Sequence, residues 1–351
     1  MNKTQTIDNL PFLEEATAIV AFSGFEVHHV MRLAFILTTG YSLMATASAV
    51  EPLRAANHLA GKKLYEISFV SAEGGLAKST AGGGFETLTM AGAGSDFDLV
   101  FVVAGGNPMS YEDPDLGRYL RKLNANKVKL GGISGGAAIL ARFGLLENRR
   151  FAVHWQHIEA LEELSSALLI ERRLFVIDRD RYTCAGGVAA LDMMLAIVAS
   201  EHGTVFARSV SDWFIHTQMR LADEPQRATL AQQLNITHPA LIAATNLMAS
   251  HIADPLNEQQ IADLSGLSSR QLQRLFTEQI GEPIMQFYRK MRLEKANELL
   301  QQSTLPITEV AIAAGFSSLS HFSRTFREQF NSTPRRRRAD SRKNMTVLRT
   351  M

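Results

Sequence analysis

A single cysteine, Cys184, stands among 351 residues, which excludes an intramolecular disulfide framework and fits a reducing compartment. No apolar run reaches the roughly 18 residues of a membrane-spanning helix. The N-terminus lacks the basic, apolar and small-residue succession of a secretory signal; its apolar stretch 16–22 is short and follows Glu14 and Glu15. A cytoplasmic chain with no membrane partner is expected. Charge of one sign is also scarce, since 36 Lys/Arg and 35 Asp/Glu leave a net +1. That balance is uneven along the chain. Residues 251–351 hold 15 Lys/Arg against 10 Asp/Glu, a net +5, and the remainder holds 21 against 25, a net −4. The split suggests a tail that meets a polyanion and a front that does not, although 335–338 supplies four of the charges and such clusters are commonly solvated tails.

What is present is a chain long enough for two or three domains, with 46 % hydrophobic residues to build their cores. Residues 1–31 read as an extension without periodicity, Met31 just preceding the first strand. Between 32 and about 200, within a front domain taken as 32–220, the pattern alternates. Strand-length runs at 33–37, 67–70, 99–103 and 129–133 are each followed by a Gly-rich turn or a helical segment such as 45–59 or 116–124. This implies an α/β domain with a parallel sheet covered on both faces. A hairpin is expected from 175–177 and 182–184, and a helix from 188 to 202. Residues 221–253 read as a helical linker (228–233 and 239–251), 254–338 as an all-α domain, and 339–351 as a tail.

Two segments of the all-α part copy one another. Ile261-Ala262, Gly266-Leu267-Ser268-Ser269 and Arg274-Leu275-Phe276-Thr277-Glu278-Gln279 return as Val310-Ala311, Gly315-Phe316-Ser317-Ser318 and Arg324-Thr325-Phe326-Arg327-Glu328-Gln329. Ala four residues before Gly lets two helices approach, and Gly permits the left-handed turn between them. The serines are candidate N-caps for each second helix. Leu272, Leu275, Phe276 and Ile280 share one face, as do Phe322, Phe326 and Phe330. The opposite faces show Arg270, Gln271, Gln273 and Arg274, then Ser320, His321, Ser323, Arg324 and Arg327. Arg and Gln bond guanine and adenine edges in the major groove, which a helix fits. Pro283 suits a first helical turn. A helix over 284–302 is about 28 Å long at 1.5 Å per residue, close to the ~34 Å between groove entries on one DNA face. Two helix-turn-helix units that read DNA are expected, rather than a plain bundle with polar faces.

The arrangement resembles the AraC/XylS family of regulators over about 256–337. The resemblance places base-reading positions on Arg270, Gln273 and Arg274, and on Ser320, His321 and Arg324. Ser320 is short for direct base contact.

In the front domain, Gly132-Ile133-Ser134-Gly135-Gly136 fits G-x-S-x-G, a strand-to-helix elbow that exposes a nucleophile. Alone it suggests a serine hydrolase; Gly-Gly after a strand is also a common tight turn. The wider pattern resembles the DJ-1/PfpI family, in the branch fused to AraC-type domains. It rests on Glu51-Pro52-Leu53, Val103-Ala104-Gly105-Gly106-Asn107-Pro108, the Ser134 elbow, Gly144-Leu145-Leu146, His154-Trp155 and Cys184-Ala185-Gly186-Gly187. That family implies a flavodoxin-like parallel sheet. Its enzymes carry an elbow cysteine, a following histidine and an acid on the first helix; here these positions hold Ser134, Gly135 and Ala45. A serine nucleophile needs a base within hydrogen-bond reach, and His154 is the one substitute in view. No catalytic residue, cofactor or metal is therefore expected, a Ser134 hydrolase or amidase with a DNA-binding tail being the alternative.

What remains is a pocket above the strand ends, where open α/β sheets bind ligands. The expected lining is Ala45, Thr46, Glu51, Gly105, Gly106, Asn107, Ser134, Gly135, Gly136, His154, Trp155 and Cys184. Backbone N–H groups of the glycines suit a carboxylate, and Trp155 suits a cation, so a zwitterion would satisfy both ends. Trp155 and His154 are equally well read as structural, Glu51 as a local cap, and Cys184 as a small buried residue rather than a redox sensor. The resemblance extends to regulators responding to glycine betaine, carnitine, sarcosine or arginine. It implies an activator of catabolism, a homodimer, and RNA polymerase as a partner.

Overall fold

The computed structural model describes residues 29–340 apart from Thr229 and Thr304. The extension 1–28 and the tail 341–351 lie outside the described residues. The front domain runs β1 (Met31–Leu37), α1 (Leu43–Ala60), β2 (Tyr65–Ser71), β3 (Gly75–Lys78), β4 (Gly84–Thr89), α2 (Met90–Ala93), β5 (Leu99–Ala104) and α3 (Pro114–Ala125). It continues with β6 (Lys129–Ser134), α4 (Gly136–Arg142), β7 (Arg150–Ala152), α5 (Ile158–Leu164), β8 (Leu169–Glu171), β9 (Phe175–Asp178), β10 (Arg181–Cys184), α6 (Ala189–His202) and α7 (Thr204–Trp213). Met31 is thus the first residue of β1 rather than the last before it.

The sheet has the order β3-β4-β2-β1-β5-β6-β10-β9. Its six inner strands are parallel, and β3 and β9 close the edges antiparallel. The expected hairpin is β9–β10. The edge pair β3–β4 and the small parallel sheet β7–β8 have no counterpart in the sequence reading, because their three- to six-residue runs are half polar. β5, Leu-Val-Phe-Val-Val-Ala, is buried at every residue, as a strand covered on both faces must be. One face packs on α1, α6 and α7 and the other on α3, α4 and α5. Small residues allow the close fit around β6: a Cβ on Gly132 would lie 2.4 Å from Ala137 N, and one on Gly131 would lie 2.2 Å from the Phe101 ring.

The domain is locked past α7 by a buried carboxylate. Asp192, on α6, accepts from Arg220 Nη2 at 2.6 Å and Nε at 3.0 Å, and meets His216 at 3.3 Å. Beyond it lie α8 (Leu230–Gln233) and α9 (Pro239–Ser250), then α10 (Glu258–Leu264), α11 (Ser269–Ile280), α12 (Ile284–Gln302), α13 (Ile307–Ala313) and α14 (Leu319–Phe330). The expected helix 284–302 is α12. Pro283 is its N-cap rather than a first-turn residue. The tail holds two cores, one of α9–α11 with the start of α12, the other of the end of α12 with α13 and α14.

Candidate DNA interface and metabolite site

Each half of the repeat folds as a helix, a glycine turn and a second helix. Ile261, Ala262, Val310 and Ala311 are buried, and Gly266 and Gly315 both take φ +74°. Ser268 and Ser318 cap α11 and α14; Ser269 and Ser317 do not. Leu272, Phe276, Phe322 and Phe326 are fully buried, which fixes the rotation of each helix. Arg270, Arg274, Ser320, His321 and Arg324 are consequently exposed, and Gln273 is half-buried. Not all of these polar groups are equally free. Gln271 closes a capping box on Ser268, Gln273 Nε2 donates to Thr277 Oγ1 at 3.2 Å, and the His321 ring sits edge-on to Phe316.

A residue not singled out in the sequence joins the two halves. Arg292, in the middle of α12, donates through Nε to Ala314 O at 2.9 Å and through Nη2 to Gly315 O at 2.5 Å. Its guanidinium also lies 4.5 Å from the Phe316 ring centre. A cation on the C-terminal carbonyls of α13 is favourable, and it ties the second turn to the helix that carries the first. An arginine in the middle of a long helix gives no sequence cue to this role.

In the front domain Ser134 takes φ +58°, the left-handed strain of an elbow residue. Gly186 lies against it; a Cβ there would come within 2.4 Å of Ser134 Cβ. Cys184 is fully buried beside the elbow, and burial pushes its thiol up to about 12 despite N–H donors from Gly186 and Ser134. Among the described residues no hydrogen bond joins Ser134 Oγ to a histidine or a carboxylate. His154 instead accepts from Gln156 N at 3.3 Å, capping the 3-10 turn Trp155–His157. Burial and the nearby Arg227 hold its pKa below the usual histidine value.

The other expected pocket residues have local partners of their own. Ala45 and Thr46 are buried in the first turn of α1, with Thr46 Oγ1 donating to Ser42 O. Glu51 pairs locally with Arg54 at 2.6 Å. Gly135 N–H is already given to Ala104 O at 3.2 Å, and Gly136 packs hard on Val102. Gly106 and Asn107 open the 3-10 turn Pro108–Ser110, Asn107 capping it. Trp155 already holds a cation, the Arg227 guanidinium 4.0 Å from its ring centre.

A cavity of about 520 Å³ lies over the ends of β1 and β2, lined by Thr38, Thr39, Gly40, Glu73, Lys78 and Asp113 among others. None of the expected pocket residues lines it. It nonetheless abuts the elbow side, because a Cβ on Gly105 would lie 2.4 Å from Gly40 O. The crevice lies on the β2 side of the point between β1 and β5 where the chain order reverses, that point being the usual ligand position of such sheets. Polar β3 and the glycines around it gave no periodic signal.

Comparison with known proteins decides among the readings. Residues 31–200 match the DJ-1/PfpI family, and residues 261–340 match a helix-turn-helix domain. The chain is 44 % identical over 307 residues to the HTH-type transcriptional regulator GlxA of Rhizobium meliloti, covering 87 % of this chain and 95 % of that one. The chain belongs to this family of AraC-type regulators with a DJ-1/PfpI front domain. The regulator is also 38 % identical over 311 residues to CdhR of Pseudomonas aeruginosa (87 % and 90 % covered). With ArgR of the same species it shares 34 % over 311 residues (89 % and 94 %). These relatives are HTH-type transcriptional regulators. The protein is thus a DNA-binding transcription regulator. No helix among the described residues is long and apolar enough to cross a membrane.

Proposed function

We propose that this regulator is a cytoplasmic homodimer that activates genes for catabolism of a small zwitterionic amino-acid derivative. Its ligand is held above the C-terminal strand ends, between the Ser134 elbow and the cavity over β1 and β2. Ligand binding favours one dimer arrangement and so sets how two tails engage neighbouring half-sites and RNA polymerase. Arg270, Gln273 and Arg274 read one groove, and Ser320, His321 and Arg324 the next. The observation that supports this best is the pair of capped helices with exposed Arg270, Arg274 and Arg324.

Two measurements test the reading. Selection from random duplex DNA should recover two short half-sites about one helical turn apart, and Arg274→Ala or Arg324→Ala should cost roughly 1–3 kcal/mol at one base position each. Recovery of no preferred sequence would defeat it. A thermal-shift screen of glycine betaine, carnitine, sarcosine and arginine should give a stabiliser that Ser134→Trp or Thr39→Trp abolishes. No response to any cationic amino-acid derivative would remove the ligand class.

A further inference from the structure

The front domain touches the tail at the stretch 155–163 that follows β7. The turn Trp155–His157 packs on α12. On its outer side Glu159, the second residue of α5, meets Lys295 of α12 at 2.5 Å, both side chains about three-quarters buried. On its inner side Trp155 carries Arg227. The adjacent Gln226 donates from Nε2 to Val153 O at 3.0 Å and Arg173 O at 2.7 Å. Two cations, one from the linker and one from α12, are therefore clamped by the same short turn and helix.

The rest of this contact is poorly matched in charge. α5 also carries Glu162 and Glu163, and Arg172 of the front domain answers Glu162 and, at 4.0 Å, Glu159. Glu163, and Glu298 of α12, both lie within electrostatic reach of Lys295, and Glu298 also of Arg227; against these cations stand Glu159 and, on α13, Glu309 beside Glu163, and Glu159 and Glu294 beside Glu298. Burial holds the carboxyls of Glu163 and Glu298 above the ordinary range. A contact in which carboxylates outnumber the cations holding it is held weakly, and it opens if either cation is released. In a helix-turn-helix unit the first helix crosses the phosphate backbone. For the second unit that helix is α13, and the acidic α5 stands within electrostatic range of its first turn.

We infer that docking of the 155–163 stretch onto α12 is an autoinhibitory latch: the Glu159–Lys295 and Trp155–Arg227 contacts hold an acidic helix beside α13 and keep the second helix-turn-helix from DNA phosphates. The latch rests on the reading of the tail as the DNA-binding part. Trp155 and His154 belong to the turn after β7, so a ligand that reorders this turn frees Arg227 first and Lys295 with it. Among the described residues no salt bridge ties the first helix-turn-helix to α5, so the docked protein keeps a weakened grip on DNA.

The test needs no operator, because phosphate contacts act on any duplex and appear in the salt dependence. Fluorescence anisotropy of a labelled random-sequence duplex reads the affinity of the full-length protein over a salt series. Glu159→Gln should bind roughly fivefold more tightly than the parent, as expected when a docked majority is released, with a steeper salt slope. A Glu159→Cys, Lys295→Cys pair joined by a short bis-maleimide should bind more weakly than the same protein unjoined; buried Cys184 leaves the reagent only the two new thiols. Equal affinity in joined and unjoined forms, or tighter binding when joined, overturns the latch while leaving the regulator reading intact. Loss of all salt-dependent DNA binding in every form overturns both.

Discussion

Gly266 and Gly315 occupy the same place in the two halves of the repeat and have the same φ of +74°, so changing each to alanine makes a controlled pair. At Gly266 the added methyl meets nothing within 4 Å. The cost there is left-handed strain alone, about 1 kcal/mol, roughly half offset by the stiffer unfolded chain. At Gly315 the methyl would lie 2.4 Å from Ile252 O, 3.0 Å from Pro255 Cδ and 3.2 Å from Arg292 Nε. Two of these neighbours are backbone or ring, so the turn itself must move, and it takes the Arg292 bonds to Ala314 and Gly315 with it. Overpacking of this kind adds about 1–3 kcal/mol to the same net strain, for a total of about 2.5 kcal/mol. Amide hydrogen exchange by mass spectrometry separates the sites because it reads local opening. Peptides from α13 and α14 should exchange about 30- to 100-fold faster in Gly315→Ala, whereas those from α10 and α11 in Gly266→Ala should speed up only about two- to threefold. Equal acceleration in the two variants would refute the claim that the second turn is wedged against 252–255.

Arg292→Lys keeps the charge but loses the fork that reaches two carbonyls; it should cost about 2 kcal/mol, read as faster exchange of α13. Arg220→Ala strands the buried Asp192 carboxylate and should destabilise the front domain by about 3 kcal/mol or more. This is measurable by denaturant unfolding followed through the two tryptophans, both in that domain. His157 is held neutral by burial, its pKa pushed down from 6.5 to about 4. The unfolded chain takes up this proton below pH 6.5 and the folded one only near 4, so its stabilising contribution is complete above 6.5 and is lost as pH falls towards 4. Up to about 3 kcal/mol is at stake, and His157→Gln should flatten the fall in denaturation midpoint over that window relative to the parent.

The sequence was most legible where period and turn chemistry agree. Leu272/Phe276 and Phe322/Phe326 recur at helical spacing behind a capping serine, and both units formed on those residues. β5 and β6 were readable because strands buried on both faces are continuous apolar runs. β3, β7 and β8 were not, since three or four residues at an edge need no hydrophobic pattern. Side-chain partners were the least readable. Trp155 is aromatic and near the strand ends, but its cation comes from Arg227, seventy-two residues on. Gly135 supplies an N–H that the neighbouring strand has already taken. Arg292 looks like any solvent arginine of a long helix until α13 folds back on it. Such pairings depend on tertiary approach, which no local spacing encodes.

The uninterrupted helix α12 has a consequence for how operators can change. It sets not only the separation of the two reading helices but also their angular phase. One inserted residue would add about 1.5 Å of length while turning everything after it by about 100°, swinging α14 away from the groove that α11 faces. Its Arg292 anchor would turn away from the α13 carbonyls in the same step. Half-site spacing within one tail is therefore fixed almost digitally, and new operators are reached by substitutions on α11 and α14 rather than by adjusting the distance between them.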